Sequence, residues 1–311
     1  MALKHVLEVL DLLDDGAASG QRVVDLFAGF EHVTASTTTV TGEKGSTDFI
    51  RIEIAGTEGK KAGGPAETTG IIGRLGGLGA RPTRIGFVSD GDGAAAAISS
   101  AYKLAEMSTR GDRLPGDVIV TTHVCPDAPT RPHQPVEFMD SPVDILAMNT
   151  HEVVDEMDVI LSIDTTKGNR VVNHRGVAIS APVKQGYILK YSEDLLRILE
   201  TVSGQPAQAL PISTQDITPY GNGVYHINSI LQPAVAAEVP VVGVAITAQS
   251  AVPGSATGAS HEVDIALATR FVIEVAKEVG AGTCEVVDEP EFESLVSMYG
   301  SMKHLSTLPN A

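Results

Sequence analysis

Five separate segments of this chain end in side chains that could hold a metal ion or transfer protons. Imidazole and carboxylate groups that meet at one point are typical ligands of zinc or manganese. A coordination position left for water would supply a nucleophile, because the metal lowers the pKa of that water to about 7. Taken singly, aspartates at strand ends are also common turn formers and helix caps. The segments carry Asp90 and Asp92, His123 and Asp127, Asp164 and Lys167, Asp216 and Tyr220, and His261.

Each of these side chains has an expected role. In the DGDG turn we assign Asp90 as a metal ligand and Asp92 as the cap of the following helix, and the reverse assignment remains open. The predicted metal is zinc, with manganese or cobalt as alternatives, and its ligands are expected among Asp90, Asp92, His123, Asp164 and His261. The expected catalytic groups are Asp127, His123 and Lys167, and the expected substrate contacts are Thr121, Thr122, Asp216 and Tyr220.

Residues 84–129 are predicted to form the strand–helix–strand unit that positions the first two segments. The short apolar run 84–89 predicts a strand, the alanine-rich run 94–107 a helix, and the β-branched run 117–122 a second strand. Such a unit has parallel strands and a right-handed crossover. Ligands of open α/β sheets collect outside the carboxyl ends of the strands, so we expect the site there.

The remaining pattern alternates strands with helices and predicts an α/β fold, a three-layer αβα sandwich with a mostly parallel central sheet. The long proline-rich segment 128–144 is expected to be a functional loop. We expect a single domain over residues 1–311, with a helical N-terminal segment at 1–30 and a C-terminal helical tail at 281–311. Further strands are predicted at 33–40, 48–54, 158–163, 210–214 and 240–246, and the clearest helices at 193–202 and 262–279.

Composition excludes several classes of partner. The net charge of −17 argues against binding to nucleic acid or to an anionic membrane surface. No apolar run reaches the roughly 18–20 residues of a membrane span.

The two cysteines, Cys125 and Cys284, lie far apart and predict reduced thiols in a cytoplasmic protein. A homo-oligomer is expected, because the threonine-rich region 33–54 could pair between subunits. The helical tail after residue 280 is expected to pack on the body of the protein or on a neighbouring subunit.

Several motifs identify the chain as similar, over nearly its whole length, to the domain-of-unknown-function family 1177. That label carries no function. The matching stretches are GIIGRLGGLGARP, VSDGDGA, GDVIVTTHVCPDAPT, SIDTTKGN, QDITPYGN, YHINSILQP and PVVGVAIT.

The order of elements also resembles, more distantly, the zinc aminopeptidases and carboxypeptidases of the phosphorylase/hydrolase-like fold. The resemblance places Asp90 where those enzymes have the aspartate that bridges two metals, and Asp164 and His261 where they have later ligands. Their paired glutamates and their early His-x-Asp strand have no clear counterpart here, and the stretch that takes the place of the glutamates carries His123, Cys125 and Asp127.

We therefore expect a metal-dependent hydrolase that cleaves an amide bond in a small peptide or amino-acid derivative. In that mechanism Asp127, or His123 if it is not a ligand, takes a proton from metal-bound water. The alternative is a non-catalytic protein that binds or senses a small molecule on a hydrolase scaffold. A third reading is an isomerase or lyase for small acids.

Overall fold

The computed structural model describes residues 1–166, 168–213, 227–252 and 255–305. Its helices are α1 Ala2–Asp14, α2 Gly20–Leu26, α3 Asp92–Ser108, α4 Ile145–Glu152, α5 Glu193–Ser203, α6 Glu262–Gly280 and α7 Glu289–Tyr299. Its strands are β1 Val33–Gly42, β2 Gly45–Ile54, β3 Thr69–Gly73, β4 Val118–Val124, β5 Thr130–Arg131, β6 Phe138–Met139, β7 Val159–Thr166, β8 Gly176–Ile179, β9 Val183–Lys184, β10 Tyr187–Ile188 and β11 Val241–Thr247.

The main sheet has parallel strands at its centre and antiparallel strands at its sides. Its order is β1-β2-β4-β3-β7-β11-β9-β10, with β8 also paired to β11. The pairs β4–β3, β3–β7 and β7–β11 are parallel. The hairpin β1–β2 adds antiparallel strands beside β4, and β5 and β6 form a separate two-stranded ribbon.

Apolar residues that alternate along the central strands pack against two different helical layers. In β3, Ile71 joins the cluster that contains residues of α1, α3, α5 and α6, whereas Ile72 joins the cluster built with the 3₁₀ segment Ser229–Val235. In β7, Leu161 and Ile160 divide in the same way. Because successive side chains of a strand point to opposite faces, these clusters lie on the two sides of the sheet. The predicted three-layer α/β fold is confirmed.

Most of the predicted elements are present. The hairpin at 33–54, the helix at 94–107 and the buried strands at 117–122, 158–163 and 240–246 correspond to β1–β2, α3, β4, β7 and β11. Helix α5 begins after Ser192, whose side chain accepts a hydrogen bond from the backbone N–H of Leu195, and ends at Gly204, which has a φ of +68°.

Two strand predictions are wrong. Residues 84–89 form turns and the start of a 3₁₀ segment, and the strand that precedes α3 is β3. Residues 210–213 are also outside any strand, although neighbouring Ala209 forms an isolated bridge with Ile179. The strand–helix–strand unit is therefore β3–α3–β4, and its two strands are parallel as predicted.

The first turn of α3 lies directly against the ends of β3 and β7. A Cβ atom on Gly93 would be 2.6 Å from the carbonyl oxygens of both Arg74 and Ile163. A Cβ on Gly73 would be 2.7 Å from the carbonyl oxygen of Gly93. Glycine is required at both positions because backbone approaches backbone. This close approach brings Asp90, which precedes α3, to the ends of the parallel strands.

Replacing Gly93 by alanine is expected to lower the free energy of unfolding by about 2–4 kcal/mol, because the new methyl group meets backbone carbonyls that cannot move separately. Urea unfolding followed by circular dichroism measures the change. Gly258→Ala is the control, since a Cβ there would have nothing within 4 Å. An equal, small effect of the two substitutions would show that α3 can shift to make room.

Candidate functional site

A wide cleft, which we call the strand-end cleft, opens beyond the carboxyl ends of β3 and β7. Its volume is about 950 Å³, within the range of small-molecule sites. Arg74 follows β3, Asp164 lies near the end of β7, and Asp90 precedes α3, and all three line the cleft. The opposite wall comes from the β1–β2 turn and from the segment 139–148. The structure thus brings two predicted ligands, Asp90 and Asp164, to one cavity.

Asp90 has two different carboxylate oxygens. Its Oδ2 accepts hydrogen bonds from the backbone N–H groups of Gly76 and Gly77, at 2.6 and 2.9 Å. Its Oδ1 has no hydrogen-bond partner among the residues that the structure describes. Burial of the carboxyl raises the pKa of Asp90 to about 6, although both backbone N–H groups favour the charged form. A carboxyl that titrates near neutral pH in a cleft is suited to proton transfer.

Arg74 belongs to a buried chain of three ionisable groups, in which Glu152 contacts both Arg74 and His123. The carboxylate of Glu152, at the end of α4, accepts from Arg74 Nη1 through Oε2 and lies 2.7 Å from His123 Nδ1 through Oε1. The side chains of Glu152 and His123 are fully buried, and that of Arg74 is 3% exposed. The positive charge of Arg74 and the bond to His123 lower the pKa of Glu152, in opposition to its burial. Glu152 therefore stays ionised and fixes the guanidinium at the cleft.

Charged side chains of the proline-rich loop and of the β1–β2 turn interact in the outer wall of the cleft. Asp140 pairs with Lys44 of the β1–β2 turn at 2.5 Å and lies 3.7 Å from Arg131. The predicted functional loop at 128–144 thus forms part of the cavity. In total the cleft lining carries five acidic and three basic side chains, so it favours ligands that carry positive charge. The acidic ones are Glu43, Asp90, Asp140, Asp144 and Asp164, and the basic ones are Lys44, Arg74 and Arg131.

Three of the predicted site residues on β4 are internal to the protein. His123 does not line the cleft, and its Nδ1 is bound to Glu152 while its buried Nε2 has no partner among the described residues. Thr121 donates to the backbone carbonyl of Glu152 and Thr122 to that of Gly73, both from fully buried positions. The two threonines tie β4 to its neighbours, and neither lines the cleft.

The other predicted residues lie away from the cleft lining. Asp127 is exposed and accepts a weak hydrogen bond from Cys125 Sγ at 3.8 Å. Burial raises the pKa of that thiol to about 12, so it is protonated at neutral pH. The expected cap role of Asp92 is wrong, because Asp92 is the first residue of α3, Gly91 is at the N-cap and no side chain of the described residues caps the helix. Asp92 is fully buried there and accepts a hydrogen bond from Ser260. His261 is exposed immediately before α6. Lys167, Asp216 and Tyr220 lie outside the described residues.

The expected metal centre was tested against the donor atoms. Within the described ranges, no group of three or more His, Cys, Asp or Glu side chains could hold a metal ion. Asp90 and Asp164 supply two carboxylates in one cleft, whereas His123 is committed to Glu152 and His261 lies on the surface. This donor set does not fit a zinc or manganese site, and we derive no chemical step through a metal. The metal requirement stays a prediction.

Sequence reasoning missed Arg74 and Glu152. Arg74 is the one charged residue in GIIGRLGGLGA, and a lone cation among glycines beside a strand end was an available signal. Glu152 gave no such signal, because it is an ordinary helix residue whose partners lie 78 and 29 positions away.

These features define a three-layer α/β protein with an acidic cleft at the carboxyl edge of its parallel strands. The chain belongs to the family described as protein of unknown function (DUF1177), whose model matches residues 38–309. The family membership predicted from the motifs is confirmed. A search among curated proteins found no match.

One solved structure to which the chain is similar is a variant of leucine aminopeptidase from tomato. The two share 12% identity with a TM-score of 0.48, over 87% of this chain and 60% of the other. The chain thus spans less than two thirds of the length of that protein. Within the described part of this chain, no helix is both long and apolar enough to cross a lipid bilayer.

The raised pKa of Asp90 should make the free energy of unfolding depend on pH. Because this carboxyl has a pKa of about 6 when folded and an ordinary value of 3.8, the folded protein binds its proton more tightly than the unfolded chain does. The free energy of unfolding, relative to that of Asp90→Asn, should therefore fall by up to about 3 kcal/mol as the pH rises from 4 to 7. Asparagine keeps the oxygen that accepts both backbone N–H groups. Urea unfolding of both proteins across this range measures the difference, and a constant difference would contradict the shifted pKa.

Proposed function

We propose that this protein is a hydrolase that cleaves an amide bond in a small peptide or amino-acid derivative bound in the strand-end cleft. The observation that carries the proposal is the carboxyl of Asp90, which has a pKa of about 6 and lies in one cavity with Arg74 and Asp164. A base whose pKa is close to the working pH is the most effective proton acceptor that remains ionised.

The reaction can be written with residues of the cleft alone. Ionised Asp90 accepts a proton from water through Oδ1, and the water oxygen bonds to the carbonyl carbon of the amide. N–H groups of Arg74 stabilise the negative charge that develops on the carbonyl oxygen. When the C–N bond breaks, protonated Asp90 returns the proton to the leaving nitrogen. This transfer leaves Asp90 ionised again, and the products are an amine and a carboxylic acid, which loses its own proton to solvent.

The charges of the cleft favour a substrate with a free amino group. Acidic side chains outnumber basic ones in the lining, and they attract a substrate ammonium group. Glu152 pairs with the guanidinium of Arg74, a residue of the cleft lining, and in this proposal the remaining N–H groups of Arg74 bind a carbonyl or carboxylate oxygen of the substrate. A molecule with both an ammonium group and an amide carbonyl matches this arrangement.

A panel of aminoacyl amides and their N-acetylated forms tests the proposal. The free-amine compounds are expected to be hydrolysed at least about 10-fold faster than the acetylated ones, since acetylation removes the charge. Each assay is run after chelation and with zinc, manganese or cobalt added, which also tests the predicted metal requirement. Turnover of neither set under any metal condition would overturn the proposal. Binding of an amide that is recovered unchanged would favour the alternative, a non-catalytic binding protein.

The cytoplasmic location, the single-domain organisation and the homo-oligomer remain predictions from the sequence. Sedimentation of the purified protein tests the last of these.

A further inference from the structure

A second cavity, which we call the α6 groove, follows the outer face of α6. It has a volume of about 1110 Å³ and extends along the helix from Val263 to Lys277. These positions span about 21 Å at 1.5 Å per residue. The remaining walls come from the ends of α1, α3 and α5, from the segment 174–176 and from Gln205 and Gln249. None of its lining residues lines the strand-end cleft, so the two cavities are separate.

The groove carries an excess of positive charge in a strongly acidic protein. Four basic and two acidic side chains line it. Both acids are already paired, Asp264 with Arg175 at 3.1 Å and Glu274 with Lys277 at 2.7 Å. The other two cations, Lys103 and Arg270, have no ion pair or hydrogen bond within the described part of the chain, although the whole chain has a net charge of −17.

Apolar side chains line the same groove as these two cations. Val263 is 59% exposed and Leu3 is 36% exposed. Met107 and Leu267 are half-buried in the same lining. Covering such side chains with hydrocarbon is favourable, because it removes apolar surface from water. The groove therefore offers an apolar track and a cationic anchor in one cavity.

We propose that the α6 groove binds a free amphipathic anion, a molecule with a carboxylate or phosphate head and a hydrocarbon chain. Lys103 and Arg270 bind the head, because they are the cations whose charge nothing else in the groove neutralises. The hydrocarbon chain lies along Val263, Leu267 and Leu3. The net charge of the protein opposes its approach to an anionic membrane, so the ligand enters as a single molecule from water.

Titration calorimetry with decanoate and decyl phosphate, below their micelle concentrations, tests the proposal. Both are expected to bind, whereas inorganic phosphate and neutral octyl glucoside should bind at least about 10-fold more weakly. Inorganic phosphate lacks the hydrocarbon chain, and octyl glucoside lacks the anionic head. Lys103→Ala and Arg270→Ala should each weaken binding of decyl phosphate by about 10-fold. Arg110→Ala is the matched control, since Arg110 is an exposed cation that follows α3, pairs with Glu106 and does not line the groove.

Three results would overturn the proposal. The first is equal binding of decyl phosphate and inorganic phosphate, and the second is binding that neither Lys103→Ala nor Arg270→Ala weakens. The third is evidence that a larger surface covers the groove. Such evidence would be retention of the protein on anionic vesicles without binding of single decanoate or decyl phosphate molecules, or a protein dimer that Val263→Glu and Leu267→Glu dissociate. Amide hydrolysis is assayed separately, so failure here leaves the proposal for the strand-end cleft intact.

Discussion

Replacing Asp90 by asparagine is expected to lower kcat for amide hydrolysis by about 10²–10⁴-fold while the protein stays folded. The variant keeps an oxygen that can accept from the N–H groups of Gly76 and Gly77, which are the two bonds that hold this side chain in place. What it loses is the ability to take a proton from water. The effect should therefore fall on kcat, with little change in KM.

The pH profile separates this role from a structural one. In the wild type, kcat/KM should rise with pH and level off above the Asp90 pKa of about 6, because only the ionised carboxylate accepts a proton and kcat/KM reports the free enzyme. The residual activity of Asp90→Asn should lack that inflection. Steady-state kinetics from pH 4.5 to 9 measure both profiles.

The control is Asp127→Asn, which alters an exposed carboxyl that the sequence had also suggested as the base. It should retain wild-type kcat. If Asp90→Asn keeps more than about a tenth of the activity, or if Asp127→Asn removes it, the assignment of the base is wrong.

The second large effect is expected on stability. Glu152→Gln should lower the free energy of unfolding by about 3–5 kcal/mol, because it leaves the buried guanidinium of Arg74 without its counter-charge. The amide of glutamine also presents a donor where the carboxylate accepted from both Arg74 and His123. Chemical unfolding at pH 7, followed by circular dichroism, measures the loss.

Glu156→Gln is the matched control in the same region of the chain. Its carboxylate pairs with Arg51 at 2.9 Å, but the side chain is 56% exposed, so the expected loss is below about 1 kcal/mol. The double variant Arg74→Met/Glu152→Met should recover part of the stability that Glu152→Gln loses, because an apolar pair of similar volume removes both buried charges. Equal effects of Glu152→Gln and Glu156→Gln would show that the buried pair is not a determinant of stability.

The same Arg74–Glu152 pair links stability to the proposed chemistry. The double variant is expected to fold yet to lose hydrolysis, because it lacks the guanidinium that stabilises the oxyanion. A folded and fully active double variant would remove Arg74 from the mechanism without affecting the role of Asp90.

The sequence predicted best those strands and helices whose apolar residues are spaced as their burial in the fold requires. The runs in β4, β7 and β11 are apolar and β-branched, which suits strands covered on both faces. Helix α3 is rich in alanine, and α6 has apolar residues at helical spacing. The position of Asp164 at the sheet edge followed from the rule that parallel strands share their carboxyl ends. Asp90 was expected there at the end of a strand that does not form, and it reaches the edge because the first turn of α3 packs against the ends of β3 and β7.

The element that the sequence misplaced is β3. Its residues TGIIG carry two glycines, which weaken a local strand signal, whereas 84–89 contains more apolar residues. The tertiary structure selects β3 because the chain there fits between β4 and β7. A Cβ on Gly70 would be 2.3 Å from Met157 Sδ, so a larger residue would require the buried side chain of Met157 to move. That requirement comes from a neighbour that is 87 residues away.

The sequence by itself determined the fold class, the family and the sheet edge at which the acidic residues gather, since each of these follows from local periodicity or from contiguous motifs. Only the tertiary structure decided which side chains reach the cleft. His123 is buried against Glu152 and Asp127 lies on the surface, while Arg74 joins Lys44 and Arg131 as a basic residue of the cleft lining. The physical reason is that ion pairs such as Arg74–Glu152 join residues distant in sequence, and their formation depends on burial that no local pattern encodes.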